Sequence, residues 1–96
     1  MTALFIVNTT PHYERLSNRL NKRHPDFNAT EKSAAAILAA DPHNRTRRHN
    51  IKKLEGVSSG EGQYRLCLGR WRFRYDIVGQ TVPLHYCGLR REDTYR

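Results

Sequence analysis

The sequence predicts an α+β fold in which an N-terminal strand and a helical hairpin precede a small sheet, with the helices covering one face of that sheet. Three observations carry this prediction. Tyr64, Leu66 and Leu68, then Trp71, Phe73, Tyr75 and Ile77, alternate with Arg65, Arg72 and Arg74, which is the period of two half-buried strands. Apolar residues between Pro11 and Ala40 recur instead at helical spacing, interrupted at His24-Pro25 and ended at Asp41-Pro42. All six glycines lie in the second half of the chain, so the turn-rich part follows the helices. With 96 residues, 38% of them apolar, residues 1–96 are read as one domain around a single small core.

Taken in order, Ala3 to Val7 is an apolar run without polar alternation, expected as a strand buried on both faces or set in the middle of the sheet. Thr10-Pro11 starts a helix: the hydroxyl can cap free amides, proline at the first helical position loses no hydrogen bond, and Glu14 suits the dipole. From Pro11 to about Arg23, Tyr13, Leu16 and Leu20 share the inward face, with Arg15, Arg19 and Lys22 opposite. His24-Pro25 ends it. A second helix is expected from near Asn28, where Asn28 and Glu31 have capping-box spacing, to Asp41-Pro42, and its alanines allow close contact between the helices.

The stretch from His43 to Leu54 is expected as a polar connector anchored by Ile51 and Leu54, and 55–62 as a flexible loop. Gly69-Arg70 joins strands 64–68 and 71–77. Val78-Gly79-Gln80 then turns into a last strand, Thr81 to Cys87, with Val82, Leu84 and Tyr86 on the core parity and Thr81, His85 and Cys87 on the other. Pro83 cannot donate to a ladder, which implies a sheet edge or a local irregularity. Cys67 and Cys87 would stand two strand spacings apart in a meander, about 9–10 Å, too far for a bridge. Both are read as free thiols, without metal-ligand spacing.

Charge narrows the function. Lys and Arg number 17 against nine acidic residues, a net +8, with a pI near 10.1. The imbalance belongs to residues 45–96, with twelve basic and five acidic side chains, rather than to 1–44, with five and four. A polyanion, either nucleic acid or an acidic protein, is the partner this implies. No apolar run approaches the roughly 20 residues that span a bilayer, and Ala3–Val7 lacks the basic flank and length of a signal peptide. A cytoplasmic location and no membrane partner are therefore expected. Arg45, Arg47, Arg48, Lys52 and Lys53 in HNRTRRHNIKKL either steer RNA phosphates or stay hydrated, and Arg74 is there either to contact phosphate or to pair with Asp76.

Asp41-Pro42 closing a helical hairpin, IKKLEG at 51–56, YRLCLG and WRFRYDI across 64–77, and GLRREDTYR at 88–96 together resemble the RelE/ParE toxin family of bacterial type II toxin-antitoxin systems. The likeness is closer to the RelE-like mRNA interferases. It implies a helical hairpin on one face of a mostly antiparallel sheet, and a cognate antitoxin that wraps the toxin and neutralises its basic surface. The family divides by activity: RelE-like members are endoribonucleases that typically cut messenger RNA on the ribosome, whereas ParE-like members poison DNA gyrase and lack the catalytic set. The resemblance therefore implies an endoribonuclease, with a gyrase inhibitor or a basic RNA-binding module as the alternative.

RNA cleavage of this kind activates the 2′-hydroxyl, stabilises the phosphorane and protonates the 5′-oxygen, which Arg, Lys and Tyr can do by electrostatics without a metal or other cofactor. By resemblance, Arg72 matches the catalytic arginine of the third strand, and Arg65 a basic position on the second. Arg90 or Arg91 matches the arginine after the last strand, and Tyr95 a terminal tyrosine used for stacking or proton transfer. Where the family pattern has a second basic residue two positions after Arg65, this chain has Cys67, which removes a charge. His85, on the outward parity of its strand, is a further general acid-base candidate.

Overall fold

The structure, a computed structural model, describes residues 4–90. Its elements are β1 (Ile6–Thr9), α1 (Pro11–Arg23), α2 (Phe27–Ala40), β2 (Ile51–Lys53), β3 (Tyr64–Leu68), β4 (Trp71–Tyr75) and β5 (Thr81–Leu89). The five strands form one sheet in the order β1-β5-β4-β3-β2, parallel between β1 and β5 and antiparallel elsewhere. The α+β expectation holds, and Tyr13, Phe27, Ala34 and Leu38 of the two helices form one core with Leu66, Trp71, Phe73, Tyr75, Val82 and Leu84 of the sheet.

Local chemistry accounts for the helices. Thr10 Oγ1 accepts the Tyr13 N–H at 3.1 Å, Pro11 opens α1, and Lys22 and Arg23 occupy its last turn. The start of α2 departs from the capping-box expectation. The helix begins at Phe27 with Asp26 at the cap, and Glu31 is taken by a tertiary clasp, accepting from Tyr13 Oη at 2.8 Å, from Ser17 Oγ and from Asn21 Nδ2. Asp26 itself accepts from Arg70 Nη2 at 3.1 Å and Trp71 Nε1 at 3.2 Å, tying the hairpin loop to the β3–β4 turn.

Four further expectations are corrected. β1 is an edge strand, not a buried one, and Ile6 is 62% exposed. The polar connector contains a strand, β2, whose Lys52 pairs with Arg65. The loop expected to be flexible is tied down: Asp76, 1% exposed, accepts N–H groups from Gly60 at 2.7 Å, Gly62 at 3.3 Å and Gln63 at 2.8 Å.

The fourth correction concerns β5. Pro83 marks an irregularity and not an edge, since β5 lies between β1 and β4. Tyr75 pairs with Leu84 but Arg74 with Tyr86, leaving His85 as the extra residue of a β-bulge. One inserted residue exchanges the faces of everything after it. Cys87 therefore pairs with Phe73 and is buried in the core, while Tyr86 moves to the face opposite the helices. Cys67 pairs with Arg72 and belongs to that opposite face, so the two thiols lie on different sides of the sheet; both are free.

Candidate functional site

The face turned away from the helices carries the basic residues, in two cross-strand rows. Lys52, Arg65, Arg74 and Tyr86 are in register across β2, β3, β4 and β5, and Cys67, Arg72 and Gly88 form the next row. Arg65 and Arg72 are half-buried, their stems lying on the sheet. The Nε of Arg65 is buried without a hydrogen-bond partner in the structure.

Arg90 follows β5, and its N–H reaches Arg70 O at 2.8 Å, which brings the chain back to the end of β4 next to Arg72. Of the two tail arginines left open by spacing, Arg90 is thus placed beside the Arg65 and Arg72 face. Arg91 and Tyr95 lie outside the described residues.

Arg74 shares that face but is engaged. Its Nε and Nη2 donate to Gly62 O at 3.2 and 3.0 Å, and it does not pair with Asp76. Gly62 packs so closely that a Cβ there would come within 2.9 Å of Arg74 Cβ. Arg74 and Asp76 therefore grip the same loop, one through its carbonyl and the other through its amides. Burial would raise the Asp76 carboxyl, but the N–H groups of Gln63, Gly60 and Gly62, with His85 beside it, hold it below the ordinary carboxylate value.

His85, displaced by the bulge, sets its Nε2 2.8 Å from Asp76 Oδ2, outside good hydrogen-bonding angles. It is placed with Asp76 and not with Arg72.

The remaining predicted residues are more dispersed. Lys53 shares the parity of Tyr64 and its Nζ lies 5.8 Å from that ring, off the basic face. Arg45, Arg47 and Arg48 are exposed on the loop entering β2. That loop is ordered by Asp41, which accepts from Arg45 N at 2.8 Å and Thr46 Oγ1 at 2.7 Å, and by Asn44, which bonds His49 N and O at 3.1 and 2.8 Å. Its three arginines thus sit on a defined turn at the β2 edge, flanking Lys52.

Two site features escaped the sequence reading. Alternation carried through the bulge places Tyr86 in the core; the one signal against that placement is Pro83. Asp76 was read only as an ion-pair partner, although a carboxylate at a strand end opposite a glycine-rich loop is the arrangement that collects backbone amides. Among the described residues, no three His, Cys, Asp or Glu side chains converge as metal ligands would, and no helix is long and apolar enough to cross a membrane.

A helical hairpin on one face of a five-stranded, mostly antiparallel sheet is the fold this chain shares with solved YafQ and RelE structures. Among solved structures, the chain is similar to one in the Escherichia coli DinJ-YafQ toxin-antitoxin complex, with a TM-score of 0.71 and 16% identity over 93% of this chain and 96% of that one. It is also similar to one in the archaeal RelE-RelB complex of Pyrococcus horikoshii, with a TM-score of 0.60 and 22% identity over 91% and 96%. A third match, in the RelB-RelE antitoxin-toxin complex of Methanococcus jannaschii, has a TM-score of 0.52 at 16% identity over 92% and 94%. Sequence comparison finds no matching family model and no matching curated protein.

Proposed function

We propose that this chain is the toxin of a type II toxin-antitoxin pair, a cytoplasmic endoribonuclease that cleaves messenger RNA in association with the ribosome. The observation that carries the reading is the placement of Arg65 and Arg72 on the uncovered sheet face, in a fold shared with YafQ and RelE toxins. In the reaction, the 2′-oxygen attacks the adjacent phosphorus, the 5′-oxygen leaves, and a 2′,3′-cyclic phosphate forms. Negative charge grows on the non-bridging oxygens, and fixed guanidiniums answer it without reorganising.

Arg72 is the phosphate ligand, in the middle of the sheet and half-buried, where water screens it less than at a fully exposed position. Arg65 lies on the neighbouring strand, one row along, and serves the attacking side. Arg90 closes the far end, with Arg91 and Tyr95 following it in the chain. Lys52 in register with Arg65 supplies a cation on the same face, which offsets in part the charge absent at Cys67. Arg45, Arg47 and Arg48 extend the positive edge along the RNA backbone. The same surface, carrying much of the +8 net charge, is the one an acidic antitoxin segment would cover.

The test is to incubate the purified chain with ribosomes programmed with a message and, separately, with DNA gyrase and plasmid. Cleavage within the message is expected, and co-expression with the acidic partner should suppress it. Stalled gyrase-DNA complexes with intact message would overturn the proposal.

A further inference from the structure

We infer that Tyr86 is a further residue of the phosphate site, its hydroxyl donating a hydrogen bond to the scissile phosphate beside Arg72. The inference rests on the ribonuclease reading above and adds to it a neutral donor that no alternation of the sequence reveals.

The bulge decides which face Tyr86 occupies. Without the extra residue at His85, Tyr86 would lie under the helices; with it, Tyr86 pairs with Arg74 on the basic face. Its ring then runs along its own strand over Gly88. A Cβ built on Gly88 would stand 2.4 Å from the Tyr86 hydroxyl and 2.8 Å from Cζ. Gly88 is buried, and its φ is not in the left-handed region, unlike Gly56, Gly60, Gly69 and Gly79, where a Cβ would meet nothing within 4 Å. Those glycines serve turns. At Gly88 the missing side chain makes room for the hydroxyl.

Gly88 is also the cross-strand partner of Arg72. Directly opposed Cβ positions in an antiparallel pair lie about 4.5–5.5 Å apart. The Tyr86 hydroxyl therefore occupies the side-chain position facing Arg72, although its own Cα is a row away. A phosphate held by Arg72 lies within reach of that hydroxyl. Arg90, returning to the end of β4 through Arg70 O, bounds the same space. A neutral donor between guanidiniums binds a non-bridging oxygen without adding charge that would compete with them, and it strengthens as charge develops in the transition state.

The experiment compares Tyr86→Phe with the wild-type chain in single-turnover cleavage of ribosome-bound message, with RNA affinity and Tm measured in parallel. Phenylalanine keeps the ring over Gly88 and removes only the hydroxyl. A cleavage rate at saturation lowered about 100-fold or more, with affinity within about twofold and Tm unchanged, is expected. A Tyr86→Phe rate equal to wild type would overturn the inference and reduce Tyr86 to a ring that covers the sheet. A loss confined to affinity would overturn it too. If the wild-type chain cleaves no RNA, the ribonuclease reading falls and this inference falls with it, an outcome distinct from an unimpaired Tyr86→Phe enzyme.

Discussion

Tyr86 and Gly88, two residues apart on one face of β5, share a single volume: the hydroxyl of the first lies 2.4 Å from where a Cβ on the second would be. Gly88→Ala should therefore destabilise the fold by about 1–3 kcal/mol, the usual cost of overpacking. The same substitution in a Tyr86→Ala background should cost much less, because the space has been vacated. Denaturant titration of the four proteins of this cycle gives the coupling; additive effects would refute the shared volume.

Asp76 should prove a structural anchor. Asp76→Ala leaves the N–H groups of Gly60, Gly62 and Gln63 without their acceptor and removes the carboxylate that faces His85. A loss of about 2–4 kcal/mol is expected, with faster amide exchange in 60–63 than elsewhere. Unchanged protection of those three amides would contradict the assignment.

The same carboxylate sets an acid limit. Its pKa is below the ordinary value in the fold, so it binds a proton more readily unfolded than folded. Its contribution is complete above the ordinary carboxylate pKa of about 4, and it is lost as pH falls through the lower folded value. Asp41 adds to this with the same sign: burial opposes ionisation, but Thr46, the Arg45 and Thr46 amides and His49 prevail. Stability measured from pH 6 down to pH 2 should fall most steeply below pH 4, and Asp76→Asn should flatten the slope.

The two thiols should behave differently. Cys87 is 1% exposed in the core, and burial, with Glu31 nearby, pushes its pKa up to about 12. A raised thiol pKa stabilises the fold below the ordinary value of about 8.5, and that contribution is lost as pH rises through 12. At pH 8, alkylation followed by mass spectrometry should label Cys67, on the face without helices, well before Cys87. Equal labelling would contradict the exchange of faces at the bulge.

Much of the fold was legible because its signals are local. Thr10-Pro11 caps α1 as its chemistry requires, and the alternation of β3 and β4 survives intact because both strands bury one face. The failures have physical causes. Glu31 satisfies capping-box spacing, yet the hydroxyls of Tyr13 and Ser17 on the facing helix claim it, and no local pattern reports a tertiary partner. Lys52 and Lys53 disguise β2, since an exposed edge strand of three residues has little apolar signal. The bulge is the costliest omission. It transfers Tyr86 to the basic face and Cys87 to the core, and the sequence marks it only by Pro83.

The proposed RNA-cleaving site turns on Arg72 as its phosphate ligand. The most direct measurement is single-turnover cleavage of ribosome-bound message by the wild-type chain, Arg72→Lys and Arg72→Ala, with each fold checked by Tm. Alanine should lower the rate by about 100-fold or more, and lysine should recover only part of that loss, because a point charge cannot replace the planar fork. Message cleaved by Arg72→Ala at the wild-type rate would contradict the account.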